Sequence, residues 1–273
     1  MLRIAAAGSP MSTPSPGGTV EGIKQAHSLG INALEVEWVQ RVPSNLERME
    51  QIRKTSQELD VKLTVHAPYF INLNADDPSK LEASKQRILN ALSMAELCGA
   101  VSVCVHPAFY LKNTPEEAFE SVRTATAEIM SFKDSLFPNT NLAYETMGKR
   151  TQFGTLEEVL KISKEFGIYP CVDFAHLHAR SNGELNSVDE WDEMLDMYKE
   201  YLGDNSLSEM HIHYSGIEYT EKGERRHLPL KDSDANWQDF VQVLKERKVG
   251  GVLVCESPVM EQDTLLMIEE YDK

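Results

Sequence analysis

Residues 170–180 read PCVDFAHLHAR. Cys171 and Val172 end a short apolar run, Asp173 stands where that run stops, and His176 and His178 follow in what reads as a polar turn. A carboxylate and two imidazoles at the exit of a strand suit a hard or borderline metal ion. Taken alone, the same letters also describe a capped turn with an exposed histidine pair. The arrangement recurs along the chain, and its recurrence decides the fold.

Short apolar runs at residues 3–7, 33–37, 61–65, 101–105, 141–144, 168–172, 209–212 and 251–255 read as buried strands. Between and after them, helical spacing of apolar residues covers 20–29, 46–59, 78–98, 115–132, 155–166, 188–201, 237–247 and 264–271. Gly99 and Gly167 stand as helix stops, and Thr155 with Glu158 has the spacing of a capping box. Strands that alternate with helices imply right-handed parallel crossovers, and eight such units close into a barrel. The expectation is a single (β/α)8 TIM barrel in one domain over residues 1–273, with a polar insertion at 215–236.

Composition fits that reading. The chain is 41% hydrophobic and 26% charged, and no apolar run approaches the ~20 residues of a membrane helix. Cys98, Cys104, Cys171 and Cys255 are widely spaced, as buried reduced thiols are, so a cytoplasmic location is expected, and the chain is expected to be a monomer. The net charge of −16 argues against nucleic-acid binding by the surface as a whole. Divalent ions in a cleft would reverse the sign locally.

In such a barrel the C-terminal ends of all strands surround one mouth, where chemistry takes place. Strands three to eight end at or beside His66, His106, Glu145, Asp173, His211 and Glu256. Six such groups around one mouth repel or stay unpaired without a cation. Imidazoles mixed with carboxylates and without thiolates suit zinc, with manganese or iron as the other candidates. His176 and His227 add loop nitrogens, and eight donors exceed what one zinc takes, so two or three ions are expected. Paired ions activate water and clamp the oxygens of a phosphoryl group. A bridging carboxylate is needed, and Glu145 is the candidate, with Glu256 as its catalytic partner.

HAPYFINL at His66, HPAFY at His106, YETMGKRTQFGT at Glu145, CVDFAH at Asp173, MHIHYSG at His211 and CESP at Glu256 together resemble the endonuclease IV family. That resemblance implies a zinc-dependent apurinic/apyrimidinic endonuclease of base excision repair, acting on damaged double-stranded DNA. It also implies a trinuclear site. His66, His106 and Glu145 would hold one ion; Glu145, Asp173, His211 and Glu256 a second; His176 and His227 a third. Tyr69 and Asn72 fall where the family contacts DNA. The chain departs from the family at Arg225, where an Asp completes the third ion, so Glu224 or His213 is the substitute candidate. His213 itself stands where the family has Asn, and the loop after strand two, WVQRVPSN, lacks the family's basic insert.

Lys149, Arg150, Arg225 and Arg226 lie on mouth-side loops as candidate phosphate contacts. Tyr69, Phe70, Phe109 and Tyr110 read either as a stacking surface or as a hydrophobic rim. Two further functions stay open: a metal-dependent sugar isomerase or epimerase on the same barrel, and a metal-binding relative without turnover.

Overall fold

The computed structural model describes residues 1–273, apart from the side chain of Asp134. The chain begins β1 (Leu2–Ala7), α1 (Thr19–Ser28), β2 (Ala33–Glu37), α2 (Leu46–Glu58), β3 (Lys62–His66), α3 (Pro78–Cys98), β4 (Ser102–Val105). It continues with β5 (Ala108–Phe109), α4 (Pro115–Leu136), β6 (Asn141–Tyr144), β7 (Gln152–Phe153), α5 (Leu156–Phe166), β8 (Cys171–Asp173) and α6 (Phe174–Arg180). The last part is α7 (Val188–Leu202), β9 (Met210–Tyr214), β10 (Gly216–Thr220), β11 (Gly223–Leu228), α8 (Trp237–Glu246), β12 (Gly251–Cys255) and α9 (Glu261–Asp272).

Eight strands form one parallel sheet in the order β6-β4-β3-β2-β1-β12-β9-β8. A bridge between Glu145 and Cys171 joins its two edges, so the sheet is a nearly closed (β/α)8 barrel, as the alternation of elements requires. The closure is uneven. At the opposite end of the same seam the Asn141 amide replaces the ladder, donating to Tyr169 O at 2.7 Å and accepting from Tyr169 N at 3.0 Å.

Most of the apolar core lies between barrel and helices, in two large clusters that include Ile23, Leu34, Ile88 and Leu142 on one side and Leu160, Trp191, Phe240 and Leu253 on the other. Inside the barrel the apolar residues are small, such as Ala5, Ala33, Cys104, Ala143 and Cys171. That leaves room there for polar side chains. The four cysteines are buried and free, as their spacing suggests. The capping box forms as expected, with Glu158 N–H donating to Thr155 Oγ1 at 3.2 Å and Thr155 N–H to Glu158 Oε2 at 2.8 Å.

Two segments differ from the sequence expectation. Residues 174–180 are helical and His176 and His178 are buried, because Asp173 caps the helix by accepting His176 N–H at 2.7 Å. The polar insertion contains the antiparallel hairpin β10–β11, which lies against α6. Among the described residues no helix is long and apolar enough to cross a membrane.

Candidate metal centre

The strand ends carry their side chains into a cavity of about 420 Å3 at the barrel mouth. Three sets of donors converge there. In the first, His66 Nε2 and His106 Nε2 lie 3.3 Å apart, and Glu145 Oε2 stands 3.5 Å from the former and 2.9 Å from the latter. Assigning the His66 proton to Nδ1, where Ala67 O accepts it at 2.7 Å, leaves Nε2 as a lone pair facing the set.

The second set has one donor atom each from Glu145, Asp173, His213 and Glu256, all within 4.8 Å of one another. Glu145 Oε1, Asp173 Oδ2, His213 Nδ1 and Glu256 Oε2 are buried without a hydrogen-bond partner. Three carboxylates around one imidazole form a poor arrangement by themselves. Burial pushes the Asp173 carboxyl well above its ordinary value. Burial acts the same way on Glu256, but the His213 imidazole outweighs it and holds that carboxyl down to about 2. The unpartnered atoms are what a divalent ion would satisfy, so the residues present fit one.

The third set repeats the geometry of the first. His176 Nε2 and His227 Nε2 lie 3.4 Å apart, while each Nδ1 meets a backbone carbonyl, Thr146 O at 3.0 Å and Glu256 O at 3.1 Å. Glu224 Oε2 stands 3.6 Å from His176 Nε2.

With these three donor sets around one mouth, the chain matches, over residues 23–271, the family described as xylose isomerase-like TIM barrel. It belongs to that family. It is 35% identical to an uncharacterised protein of Methanocaldococcus jannaschii across 100% of this chain and 98% of the relative. It is 24% identical to an apurinic-apyrimidinic endonuclease of Caenorhabditis elegans across 80% of this chain and 55% of that protein. Two solved structures share its fold with TM-scores of 0.71 and 17% identity. For endonuclease IV from Thermus thermophilus the match covers 99% of this chain and 97% of that one. For a D-tagatose 3-epimerase-like protein it covers 98% and 94%.

In this xylose isomerase-like barrel, two donors depart from the sequence reading. His211 does not reach the mouth set. It lies one layer deeper, bonded through Nε2 to Glu35 Oε2 at 2.8 Å, and His213 stands in the second set instead. The strand explains the exchange: residues two apart share a face but differ by about 6.6 Å along it, so only one imidazole meets the mouth layer. The other departure resolves Arg225. The β10–β11 register shifts between Glu218 and Tyr219, so that Glu218 pairs with Arg226 and Tyr219 with Glu224, leaving Arg225 as the extra residue of a bulge. Regular alternation would put residue 225 on the side of His227; the bulge gives that side to Glu224. Gly148 leaves room for this, because a Cβ there would meet Glu224 Cβ at 2.6 Å.

Asp173 and Glu256 also lie within 4.8 Å of the His176 and His227 imidazoles but belong to the second set as well, so Glu224 is the one carboxylate that the third set has to itself. Dialysis of metal-loaded protein against a weak chelator should remove one equivalent per chain first. Glu224→Ala, and Gly148→Val by displacing the same side chain, should each loosen that equivalent by roughly 10–100-fold, the size seen when groups supporting a ligand are removed. Ions that leave together from all three proteins would refute the distinction.

The expected substrate contacts separate. Tyr69 borders the mouth, its ring 5.1 Å from that of His66 and 5.2 Å from that of His106, and Phe109 and Lys149 line the same cavity. Asn72 ties two loops instead: its Oδ1 accepts Asn74 N–H at 3.0 Å and Phe109 N–H at 3.2 Å. Arg150 donates to Arg180 O at 3.1 Å and lines a separate groove with Tyr110 and Glu158. Arg225 and Arg226 both pair with Glu218 at 2.6 Å, on the exposed side of the hairpin. His178, bonded to Leu185 O at 3.1 Å and 3.3 Å from Asp234 Oδ1, ties α6 to the following loops.

Sequence reasoning passed over Glu35 and Glu37 on β2. Glu35 is fully buried, and burial pushes the Glu37 carboxyl up to about 8. Their signal was the segment ALEVE, in which two carboxylates alternate with apolar residues inside a strand that eight-unit closure must bury. Both therefore face the barrel interior.

Proposed function

We propose that the chain is a zinc-dependent phosphodiesterase that cuts damaged double-stranded DNA 5′ to abasic sites. The observation that supports this best is one carboxylate, Glu145, shared by the first and second donor sets. Glu145 Oε2 serves His66 and His106, while Glu145 Oε1 lies 3.0 Å from His176 Nδ1 and 3.7 Å from His213 Nδ1. A phosphodiester, with charged oxygens on both sides of the reacting atom, uses several ions. Bound zinc, two or three ions, supplies Lewis-acid polarisation and an activated water there. The rest falls to the chain. Glu145 joins the ion sets, Glu256 balances charge beside them, Lys149 meets a phosphate, and Tyr69 and Phe109 offer exposed rings to a base or sugar.

A second reading, a sugar epimerase, is favoured by the net charge of −16 and by Glu37, whose carboxyl at about 8 is suited to proton transfer near neutrality. Purified protein should be assayed on a duplex carrying one abasic site, on the intact duplex and on ketohexoses, with bound metal counted by mass spectrometry. Cleavage confined to the abasic duplex and abolished by His106→Gln supports the phosphodiesterase. Sugar interconversion with one or two manganese or magnesium ions per chain replaces it with the sugar isomerase or epimerase. Bound zinc without either turnover leaves a metal-binding relative that lacks catalysis.

A further inference from the structure

Below the mouth, the barrel interior holds a second group of metal-ligating side chains. Glu35 is fully buried, with Oε2 2.8 Å from His211 Nε2 and Oε1 2.9 Å from His213 Nε2. One donor atom from each of these three residues lies within 4.8 Å of the others, and the same holds for Cys104, Cys171 and His213. Cys171 pairs with His211 in the β8–β9 register, so thiol and imidazole share a layer of the barrel. We infer that Glu35, His211, His213 and Cys171 form an additional metal site inside the barrel, one layer below the mouth, for a borderline divalent ion of the zinc class. This site does not depend on the reaction proposed for the mouth.

Three features carry the assignment. First, Glu35 Oε1 and His213 Nε2 stand 2.9 Å apart, yet both remain without a hydrogen-bond partner, because their mutual geometry is not that of a hydrogen bond. Donors on a tetrahedral zinc with bonds of 2.0–2.1 Å stand roughly 3.3 Å apart, so closely spaced, unbonded donor atoms are what such an ion gathers. Second, the supporting contact is in place. His211 Nδ1 meets Ser102 Oγ at 3.0 Å, which orients the ring and directs Nε2 inward. Third, the group has its own route from solvent. A cavity of about 350 Å3 opens at the face opposite the mouth and reaches Thr64, Ser102 and His211 where Asn141 and Tyr169 replace the β6–β8 ladder.

The chemistry balances. One carboxylate and one thiolate offset the charge of a dication, and the ion would satisfy Glu35 Oε1, the oxygen left without a hydrogen bond while Oε2 accepts from Thr64 Oγ1 at 2.7 Å. The thiol proton leaves to solvent when sulfur binds the ion. His213 would face the inner ion through Nε2 and the mouth through Nδ1, linking the two centres by one ring.

Cobalt tests the site, because sulfur bound to Co2+ gives a charge-transfer absorption that nitrogen and oxygen donors do not. Stripped full-length protein titrated with Co2+ should develop that absorption. Cys171→Ser should abolish it and lower bound metal by one equivalent per chain. An absorption that survives Cys171→Ser, or cobalt-loaded protein that shows none, overturns the site. Should Cys171→Ser fail to fold, cadmium-113 resonance on the wild-type chain decides instead. A signal in the thiolate-coordinated range supports the inner site, and signals confined to the nitrogen–oxygen range refute it.

Discussion

Replacing Glu145 by glutamine is expected to lower turnover by at least four orders of magnitude and to strip the protein of two ions. Glu145 is fully buried, with one oxygen against His106 at 2.9 Å and the other against His176 at 3.0 Å. Burial raises its carboxyl, but the His106 imidazole and its companions outweigh that and hold it well below the usual range, so it is an anion in the fold. Glutamine keeps the shape and loses the charge. One end of the side chain becomes an NH2 group facing donor atoms that need an acceptor or a cation. Loss of one electrostatic or acid–base group costs ~10²–10⁴ in rate. Failure of two metal sets compounds it. Steady-state rates, metal content and the melting curve of the variant check the prediction together. Near wild-type turnover with full metal content would show that Glu145 does not join the two sets.

Removing the metal is expected to lower the melting temperature by roughly 15–30 °C. Each of two firmly held ions at a thousandfold excess over its dissociation constant adds about 4 kcal/mol, and ~1 kcal/mol moves the midpoint of a chain this size by ~2–4 °C. The gap should widen as pH rises from about 5 to 9. Two groups set the sign in the stripped chain. Burial pushes Glu37 up to about 8, so the stability it contributes is complete below its ordinary 4.5 and lost as pH rises through 8. For His66, burial opposes the charged ring, but the Glu145 carboxylate prevails and raises it to about 10. Its contribution is complete below 6.5 and fades up to 10. Glu256, held down to about 2, acts only in strong acid. Metal binding runs the other way, gaining as ligands lose protons. Calorimetry of loaded and stripped protein across that range reads the gap directly. A gap that is constant or narrows with pH would mean that these carboxyl and imidazole groups do not face the ions.

The barrel was legible in the residues alone. Eight apolar runs separated by helical spacing leave few other ways to bury both faces of each strand, and the capping residues Thr155 and Gly167 mark boundaries that the structure keeps. Equally legible were the strand ends that carry imidazoles and carboxylates, because a strand's exit is a local property. Depth was not. His211 and His213 share one face of β9 and both meet Glu35, but the stagger of the closed barrel lets only His213 reach Glu145. Glu35 looked like part of an ordinary strand because its partners lie 29 and 176 residues away, at Thr64 and His211. Arg225 occupied a ligand's position along the chain, yet a bulge of one residue in β11 turned it to Glu218 and brought in Glu224. Periodicity records which side of an element a residue faces, whereas register, bulges and barrel closure fix how far along the axis it sits, and metal ligation depends on both.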